Sequence, residues 1–467
     1  MQTSQKLKQQ DNQFIHPWDD IVKLGSNQRT LLSKGDGIYV VDSEGHRLLD
    51  APAGMWCVNI GHGREEMAKV VYDQIMALPY VSPWSHATGP AAEFAAQIAE
   101  QAPGDIDHVF FTTCGSTAVD SAIRFVQFYN NVRGKPAKKH IIAQNKGYHG
   151  STYLGGSVSG KERDKNNLDV VKDIVHHIDA PHPLYKPEGL SDAEFLDQCA
   201  GNLQAMIDSV GADKCAVFIA EPILASGGVI VPPEGYHKRC KDICEKHDML
   251  YISDEVVTGF GRLGHCFASE AVFGIQPDII TTAKGLTSGY IPMGAFLVSD
   301  RLLQEIKTHG GDSAVFSNGF TYSGHPVAAV AGIKNLEIMQ REKLFEQVQQ
   351  TGPYLQQQLQ TLRDIPIVTD VRGVGLMACV ECEISSGANN LDMDYQIGNL
   401  IDKHCQSLGL LVRPLINMCV MSPPLTITKD QIDDLVSMLR KGIELAVEEM
   451  ATMEATAGKR NHHPSSA

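Results

Sequence analysis

In the segments ISDEVVTGF at residues 252–260 and TTAKGLTSG at residues 281–289, a β-prone run ends at an ionisable residue. In the first segment this residue is Asp254, and in the second it is Lys284. Small residues and glycine follow both, which is typical of a loop at the end of a strand. The two segments therefore predict buried strands whose carboxyl ends carry a carboxylate and an amine.

Short β-branched or aromatic runs alternate with helix-like stretches from about residue 65 onward. The runs lie at residues 108–113, 140–144, 216–220, 250–253, 278–283 and 295–299. Such alternation is typical of a mostly parallel sheet with helices on both faces, because each parallel crossover needs a long connection. The predicted fold class is therefore α/β.

Both ends of the chain follow other patterns. GIYVVDSEGHRLL at residues 38–50 predicts a hairpin that turns at residues 43–45. After about residue 330 come a long helical stretch, a strand pair around VRGVGLMACVECEI, and a final helix from about Lys429 to Met450. We expect a large domain at residues 60–330 and a smaller α+β domain formed by residues 1–59 together with residues 331–467.

The composition of the 467-residue chain limits the class of partner. A net charge of −15 and a pI near 5.6 argue against nucleic acid and anionic membranes, which bind clustered positive charge. A small-molecule partner is expected.

Because the start lacks an apolar signal core and no stretch stays apolar for ~18 residues, we expect a cytoplasmic protein. The 11 scattered cysteines favour free thiols, and no metal site is predicted.

Three charged residues are predicted to share one cleft. Glu221 follows the run AVFIA, Asp254 follows LYIS and Lys284 follows DIITTA. In open α/β sheets, ligands bind outside the carboxyl ends of the strands. Each residue alone would usually be a surface charge in a loop. Their joint placement at strand ends favours a ligand site.

Another strand end precedes the residues Cys114-Gly115-Ser116. The segment after them is predicted to be helical, with an apolar stripe at Val119, Ala122, Ile123 and Val126. A Gly-Ser pair at a helix N-terminus offers N–H groups, a hydroxyl and the positive dipole end, which suits a phosphate. A plain capping serine is the alternative. Further along, KGYHGST places Tyr148 and His149 after a strand, where an aromatic ring can face a planar ligand.

Together these features indicate a site for pyridoxal 5′-phosphate: a helix N-terminus suited to a phosphate, an aromatic ring, a carboxylate and a lysine. The lysine would form a Schiff base, and the carboxylate would keep the pyridine nitrogen protonated so that the ring acts as an electron sink. With these motifs in this order, the chain resembles the class III (omega) aminotransferases of the aspartate aminotransferase fold type. The likeness runs from Trp56 in GMWCVNIGHG to SPPLTIT near residue 428.

The resemblance implies a role for each matching residue around the cofactor. Lys284 in TTAKGLTSGYIPMGA would bind the cofactor covalently, and Asp254 in SDEVVTGFGRLG would pair with the ring nitrogen. The other cofactor residues that it implies are Gly115 and Ser116 at the phosphate, Val256 and Tyr148 on the two ring faces, and Glu221 near the ring.

The resemblance also implies substrate residues and a second subunit. Trp56 and Trp84 match aromatic pocket positions, and Arg413 in GLLVRPL matches a mobile arginine that binds a substrate carboxylate. Thr321 in FTYSGHP would reach the phosphate in the neighbouring subunit. We therefore expect a homodimer with shared active sites, or a tetramer that contains it, acting on a small-molecule amine and a 2-oxo acid.

Three departures from the family pattern bear on the reaction. Thr117 stands where the usual Ser-Gly-Ser-Glu has a carboxylate, and Asn318 stands where histidine is common. Pro414-Leu415 replaces the Gly-Asp or Gly-Asn that usually follows the arginine. These changes leave the predicted lysine and aspartate intact, and they concern the acceptor half-reaction and the mobility of the arginine.

Three functions are compatible with these residues. The first is a pyridoxal-phosphate aminotransferase that moves an amino group from a primary amine or ω-amino acid to pyruvate or another 2-oxo acid, with Lys284 as base and acid. The alternative is a lyase that eliminates ammonia or phosphate from an amino alcohol phosphate or aminophosphonate, which Arg413 could bind. A catalytically silent binding protein is disfavoured, because both Lys284 and Asp254 are present.

Overall fold

The computed structural model describes residues 4–26, 29–384 and 391–460. Its strands are β1 (Leu32–Asp36), β2 (Tyr39–Asp42), β3 (Arg47–Asp50), β4 (Ile106–Thr112), β5 (His140–Gln144), β6 (Val175–Ile178), β7 (Cys215–Ala220), β8 (Leu250–Asp254), β9 (Ile279–Thr282), β10 (Gly294–Ser299), β11 (Val368–Val374), β12 (Met377–Cys382), β13 (Leu410–Leu411), β14 (Arg413–Leu415) and β15 (Met418–Met421).

The helices follow the predicted alternation with these strands. They are α1 (Ser4–Asp11), α2 (Ala53–Trp56), α3 (Glu65–Ala77), α4 (Gly89–Ala99), α5 (Gly115–Val132), α6 (Tyr153–Val158), α7 (Asp192–Val210), α8 (Tyr236–Lys246), α9 (Ala268–Ala271), α10 (Asp300–His309), α11 (Pro326–Arg341), α12 (Leu344–Gln360), α13 (Leu391–Ser407) and α14 (Lys429–Arg460).

A seven-stranded sheet with the order β4-β10-β9-β8-β7-β5-β6 forms the centre of the fold. Only β10 runs against its two neighbours in this sheet, so the predicted mostly parallel arrangement is confirmed. All six predicted runs correspond to strands of this sheet. The sequence analysis missed the edge strand β6, because its sequence VHHI has two histidines where an apolar run would be expected.

Helices cover both faces of this sheet. Val217 and Ile219 of β7 pack in the same cluster as the predicted apolar stripe of α5, whereas Phe218 packs on the other face with residues of α7 and α8. Successive residues of a strand point to opposite faces. Every position of β7 is therefore buried, which explains why the sequence of this strand is apolar without alternation.

Two four-stranded sheets lie outside the central one, with the orders β1-β2-β3-β13 and β11-β12-β15-β14. The predicted hairpin is present as β2 and β3, and the predicted strand pair as β11 and β12. Leu49 of β3 pairs with Leu410 of β13, so the two ends of the chain meet in one sheet. The boundaries of the two domains stay a prediction.

The final helix begins at Lys429 as predicted and continues ten residues beyond the predicted end. Across the described ranges, no helix has both the length and the hydropathy required to cross a membrane.

Candidate active site

The carboxyl edge of the central sheet places the three predicted charged residues side by side. Strands β7, β8 and β9 are parallel, and Asp254 at the end of β8 lies opposite Thr281 of β9. Glu221 directly follows β7, and Lys284 lies two residues beyond the end of β9. The parallel pairing therefore gathers two carboxylates and one amine at one edge.

Asp254 is buried, and both of its carboxylate oxygens accept hydrogen bonds. Nδ1 of His149 donates to Oδ2 over 2.7 Å, and the backbone N–H of Val256 donates to Oδ1 over 3.2 Å. Because a carboxylate only accepts, this contact places an imidazole proton on Nδ1 of His149. His149 thereby orients the carboxylate. The sequence alone shows that this histidine follows Tyr148, but it indicates no role for the side chain.

Lys284 begins a 3₁₀ turn, and its backbone φ is +44°. A residue with a side chain seldom adopts this left-handed conformation unless the surrounding structure imposes it. Burial lowers the pKa of the Lys284 amine, while the carboxylates of Asp254 and Glu221 act in the opposite direction. A lowered pKa increases the fraction of neutral amine, the form that acts as nucleophile and base.

Glu221 is buried and connects two loops of the site. The backbone N–H of Tyr148 donates to Oε1 over 2.8 Å, and that of Ala225 donates to Oε2 over 3.0 Å. Burial raises the pKa of the Glu221 carboxyl, His149 opposes this shift, and the nearby Asp254 adds to it. The loop after β5 is thus held against the loop after β7.

The start of α5 shows how the chain accommodates Thr117. Its Oγ1 accepts a hydrogen bond from the backbone N–H of Cys114 over 3.0 Å, in a capping box in which a carboxylate is the commoner partner. Ser116 Oγ accepts from the N–H of Ser151 over 3.1 Å. A Cβ on Gly150, whose φ is +114°, would lie 2.7 Å from Cα of Ser116. Glycine therefore allows the loop after β5 to pack on the start of α5.

The residues at this edge fit pyridoxal 5′-phosphate. A Cβ on Gly115 would lie only 3.0 Å from Cγ1 of Val256, so glycine keeps the N-terminus of the 18-residue helix α5 open beside the predicted ring-packing residue. The amine of Lys284 and the carboxylate of Asp254 supply the two required functional groups. Within the described residues, Nε2 of His149 is buried without a hydrogen-bond partner, behind that carboxylate.

Tyr148 lies in the same loop region as predicted, and its hydroxyl is 2.9 Å from Oγ of Ser151. The ring of Trp18 lies against it, with 5.9 Å between the ring centres and an angle of 55° between the planes. The sequence analysis missed Trp18, because no periodic pattern marks the segment that contains it. Its aromatic side chain in a polar N-terminal stretch was the available signal.

Arg413 is the first residue of β14 and lies opposite Val420 of β15. Burial lowers the pKa of its guanidinium, and the nearby Tyr148 opposes this shift. An arginine remains charged through such a shift. Pro414 lacks an N–H but is tolerated, because β14 is an edge strand. The residues Pro414 and Leu415, which depart from the family pattern, therefore form a short edge strand together with Arg413.

The single chain does not bring every predicted residue to the edge. Trp84 is 93% exposed and Thr321 is also exposed, whereas Trp56 is buried in an apolar cluster with Ile223 and Ala225, which follow β7 at this edge. Asn318, the second departure, donates from Nδ2 to Oγ of Ser121 over 3.0 Å and so joins its segment to α5. The substrate roles of Trp56 and Trp84 and the phosphate role of Thr321 stay predictions, and the role of Thr321 requires a second subunit.

Comparison with known proteins gives a consistent result. The sequence model of the family described as "Aminotransferase class-III" matches residues 23–443. The chain is 41% identical to a putrescine–pyruvate aminotransferase of Pseudomonas aeruginosa, over 92% of this chain and 94% of that protein. It is 36% identical to a diaminobutyrate–2-oxoglutarate transaminase of Halomonas elongata, over 88% of this chain and 90% of the relative.

Solved structures show the same relationship at the level of the fold. An (S)-enantioselective omega-transaminase from Thermomicrobium roseum superimposes with a TM-score of 0.89 at 35% identity, covering 96% of this chain and 99% of that structure. An omega-transaminase from Pseudomonas jessenii in complex with PMP also has a TM-score of 0.89, at 33% identity over 95% of this chain and 98% of that structure.

Proposed function

The chain belongs to the class-III aminotransferase family, and on this basis we propose that Lys284 and Asp254 form its catalytic centre. It is a pyridoxal 5′-phosphate-dependent aminotransferase, which moves an amino group from an amine or ω-amino acid to a 2-oxo acid. The residue assignment is based on one observation: Lys284 lies near the hydrogen-bonded pair of Asp254 and His149 at one edge of the sheet. Location in the cytoplasm stays a prediction.

Each residue of this centre has a definable task. When bound, the cofactor supplies an electron sink for the carbanion at the substrate carbon. Asp254, oriented by His149, would hold a proton on the ring nitrogen. The Lys284 amine would hold the cofactor aldehyde and would then take the proton from the substrate carbon, a task that its lowered pKa favours. The N-terminus of α5, with Gly115 and Ser116, would bind the phosphate.

The proposed substrates are a terminal diamine and pyruvate. Support comes from the 41% identity to a putrescine–pyruvate aminotransferase across nearly the whole chain. The guanidinium of Arg413 is the group proposed to bind the carboxylate of the 2-oxo acid. A diamine has no carboxylate, so the arginine would serve only one of the two half-reactions.

Two of the departures that concern the acceptor half-reaction have local structural explanations. Thr117 caps α5 in place of a carboxylate, and Pro414 occupies an edge strand. Neither change removes Lys284, Asp254 or Glu221 from the edge of the sheet. The aminotransferase assignment therefore needs no exception for these positions.

Replacing Arg413 by alanine is expected to separate the two half-reactions. Because a half-buried cation that pairs with the carboxylate would be lost, use of pyruvate should weaken by roughly 2–5 kcal/mol, while the half-reaction with putrescine should be spared. The measurement is a panel of amines and 2-oxo acids with stopped-flow detection of each half-reaction. Arg440→Ala, which removes a partly exposed arginine of α14 that pairs with Asp364, is the control.

Two results of this panel would contradict the proposal. The first is release of ammonia or phosphate without any 2-oxo acid, which would favour the lyase. The second is an equal loss of the putrescine and pyruvate half-reactions in Arg413→Ala, which would remove the carboxylate role of this arginine.

The exposed surface around Thr321 supports the proposed homodimer. The hydroxyl of Tyr80 donates to the carbonyl of Thr321 over 2.6 Å, and the ring of Tyr80 packs edge-on against Tyr322 at 5.7 Å. Trp84 follows in the same exposed segment. These residues form an aromatic surface that a second subunit would cover, which would bring Thr321 to the partner's phosphate site.

Mixing two inactive variants is expected to restore activity if the sites are shared. Lys284→Ala lacks the amine, and Thr321→Asp places a negative charge against the partner's phosphate. A hybrid dimer would contain one intact site, so random exchange should recover about a quarter of the wild-type activity. Light scattering verifies that the mixture is dimeric, and native mass spectrometry verifies that hybrid dimers have formed. No recovery after verified subunit exchange would show that Thr321 does not act across subunits.

A further inference from the structure

Asn335 is a fully buried amide on α11, on a helix face that is otherwise apolar. Its neighbours Ala331, Leu336 and Met339 are buried hydrophobic residues. Removal of an amide from water is costly unless its groups find hydrogen bonds in the folded protein. The position therefore calls for polar partners inside the core.

These partners belong to the turn that follows Lys284. Nδ2 of Asn335 donates to the carbonyl of Gly285 over 2.8 Å and to that of Leu286 over 3.2 Å. Its Oδ1 accepts from the hydroxyl of Ser288 over 2.6 Å. One side chain thus binds three groups of a single turn, from a helix about 50 residues further along the chain.

This turn has an unfavourable backbone conformation at both ends. Lys284 has a φ of +44° and Ser288 a φ of +49°. Residues with side chains keep such values only where the surroundings impose them. The turn is also closely packed at Gly285, since a Cβ there would lie 2.5 Å from Nδ2 of Asn59. Asn59 and Asn335 therefore both pack against this turn.

We propose that Asn335 is a positioning residue, which holds the turn so that the Lys284 amine faces the carboxylates at the sheet edge. This inference rests on the catalytic role proposed for Lys284. It follows from a buried amide whose hydrogen bonds with oxygen partners all go to the strained turn, together with the close packing of Asn59 against Gly285.

The test compares Asn335→Leu with a matched control, Asn130→Leu. Asn130 is a buried helical amide at the far end of α5, where its Oδ1 accepts from Arg133. Both variants should lose thermal stability. Only Asn335→Leu should also lower kcat, by about tenfold to a hundredfold, because a misplaced catalytic group is costly. Its KM for pyruvate should stay within about twofold, since Arg413 is untouched.

A second measurement uses cofactor-free protein and does not depend on turnover. Labelling of Lys284 with trinitrobenzenesulfonate as a function of pH, read by peptide mass spectrometry, gives the apparent pKa of its amine. Besides burial, the groups that act on this amine are Asp254, Glu221, Cys57 and Arg413. In Asn335→Leu the apparent pKa should move by about half a unit or more towards the ordinary lysine value. In Asn130→Leu it should stay at the wild-type value.

Ser288→Ala provides a milder second variant in case Asn335→Leu does not fold. Loss of the hydroxyl that donates to Asn335 should lower kcat about threefold to tenfold and shift the pKa of Lys284 in the same direction. If the variants that fold match Asn130→Leu in kcat and in labelling, the inference is wrong. If Lys284→Ala, measured in parallel, retains turnover, the proposed catalytic role fails and the inference fails with it.

Discussion

Lys284→Ala is expected to abolish turnover, with a loss of more than about 10⁴-fold, the upper range for removing one acid–base group. The variant loses both the group that would hold the cofactor aldehyde and the base at the substrate carbon. No other described lysine stands at the end of a strand beside Asp254 and Glu221. Some cofactor should still bind, because the N-terminus of α5 and its phosphate contacts are unchanged.

Borohydride reduction of the wild-type protein, followed by peptide mapping, tests this expectation. The reduced cofactor should be found on the peptide that contains Lys284 and should be absent from the alanine variant. Lys403→Ala is the control, because Lys403 is an exposed lysine that pairs with Glu449 on the surface. A label on any other lysine would refute the assignment.

Asp254→Asn is expected to lower kcat by roughly 10²-fold to 10³-fold or more, the range for removing a group that stabilises developing charge. A neutral amide cannot hold a proton on the ring nitrogen, so the electron sink is weakened. In the wild-type protein, Nδ1 of His149 donates to the carboxylate of Asp254 over 2.7 Å. In the variant, the side-chain amide would offer this nitrogen either an N–H donor or a weaker acceptor. Cofactor content should fall less than activity.

The measurement combines kcat, bound cofactor and thermal unfolding. Asp278→Asn is a matched control, because Asp278 is also buried and accepts hydrogen bonds from Lys241, Arg301 and the N–H of Tyr251. That variant should lose stability without a comparable loss of kcat per bound cofactor. Near-normal turnover in Asp254→Asn would remove this carboxylate from its proposed role.

The sequence predicted the central sheet because burial on both faces leaves a strong local pattern. Residues 216–220 and 250–253 are continuous apolar runs, and both became inner strands of the sheet. The edge strand β6 has only one neighbour and contains two histidines, so it left no such pattern.

The sequence by itself also determined that Glu221, Asp254 and Lys284 share one edge, since parallel strands place their carboxyl ends together. Only the tertiary structure decided what holds these residues there. His149 reaches Asp254 across 105 positions, and Asn335 reaches the turn after Lys284 across 50. Such contacts depend on how helices and loops pack over the sheet. No local sequence pattern marks either residue. The role of a single polar side chain, in an apolar helix or after a strand, can be inferred only when its hydrogen-bond partner is known.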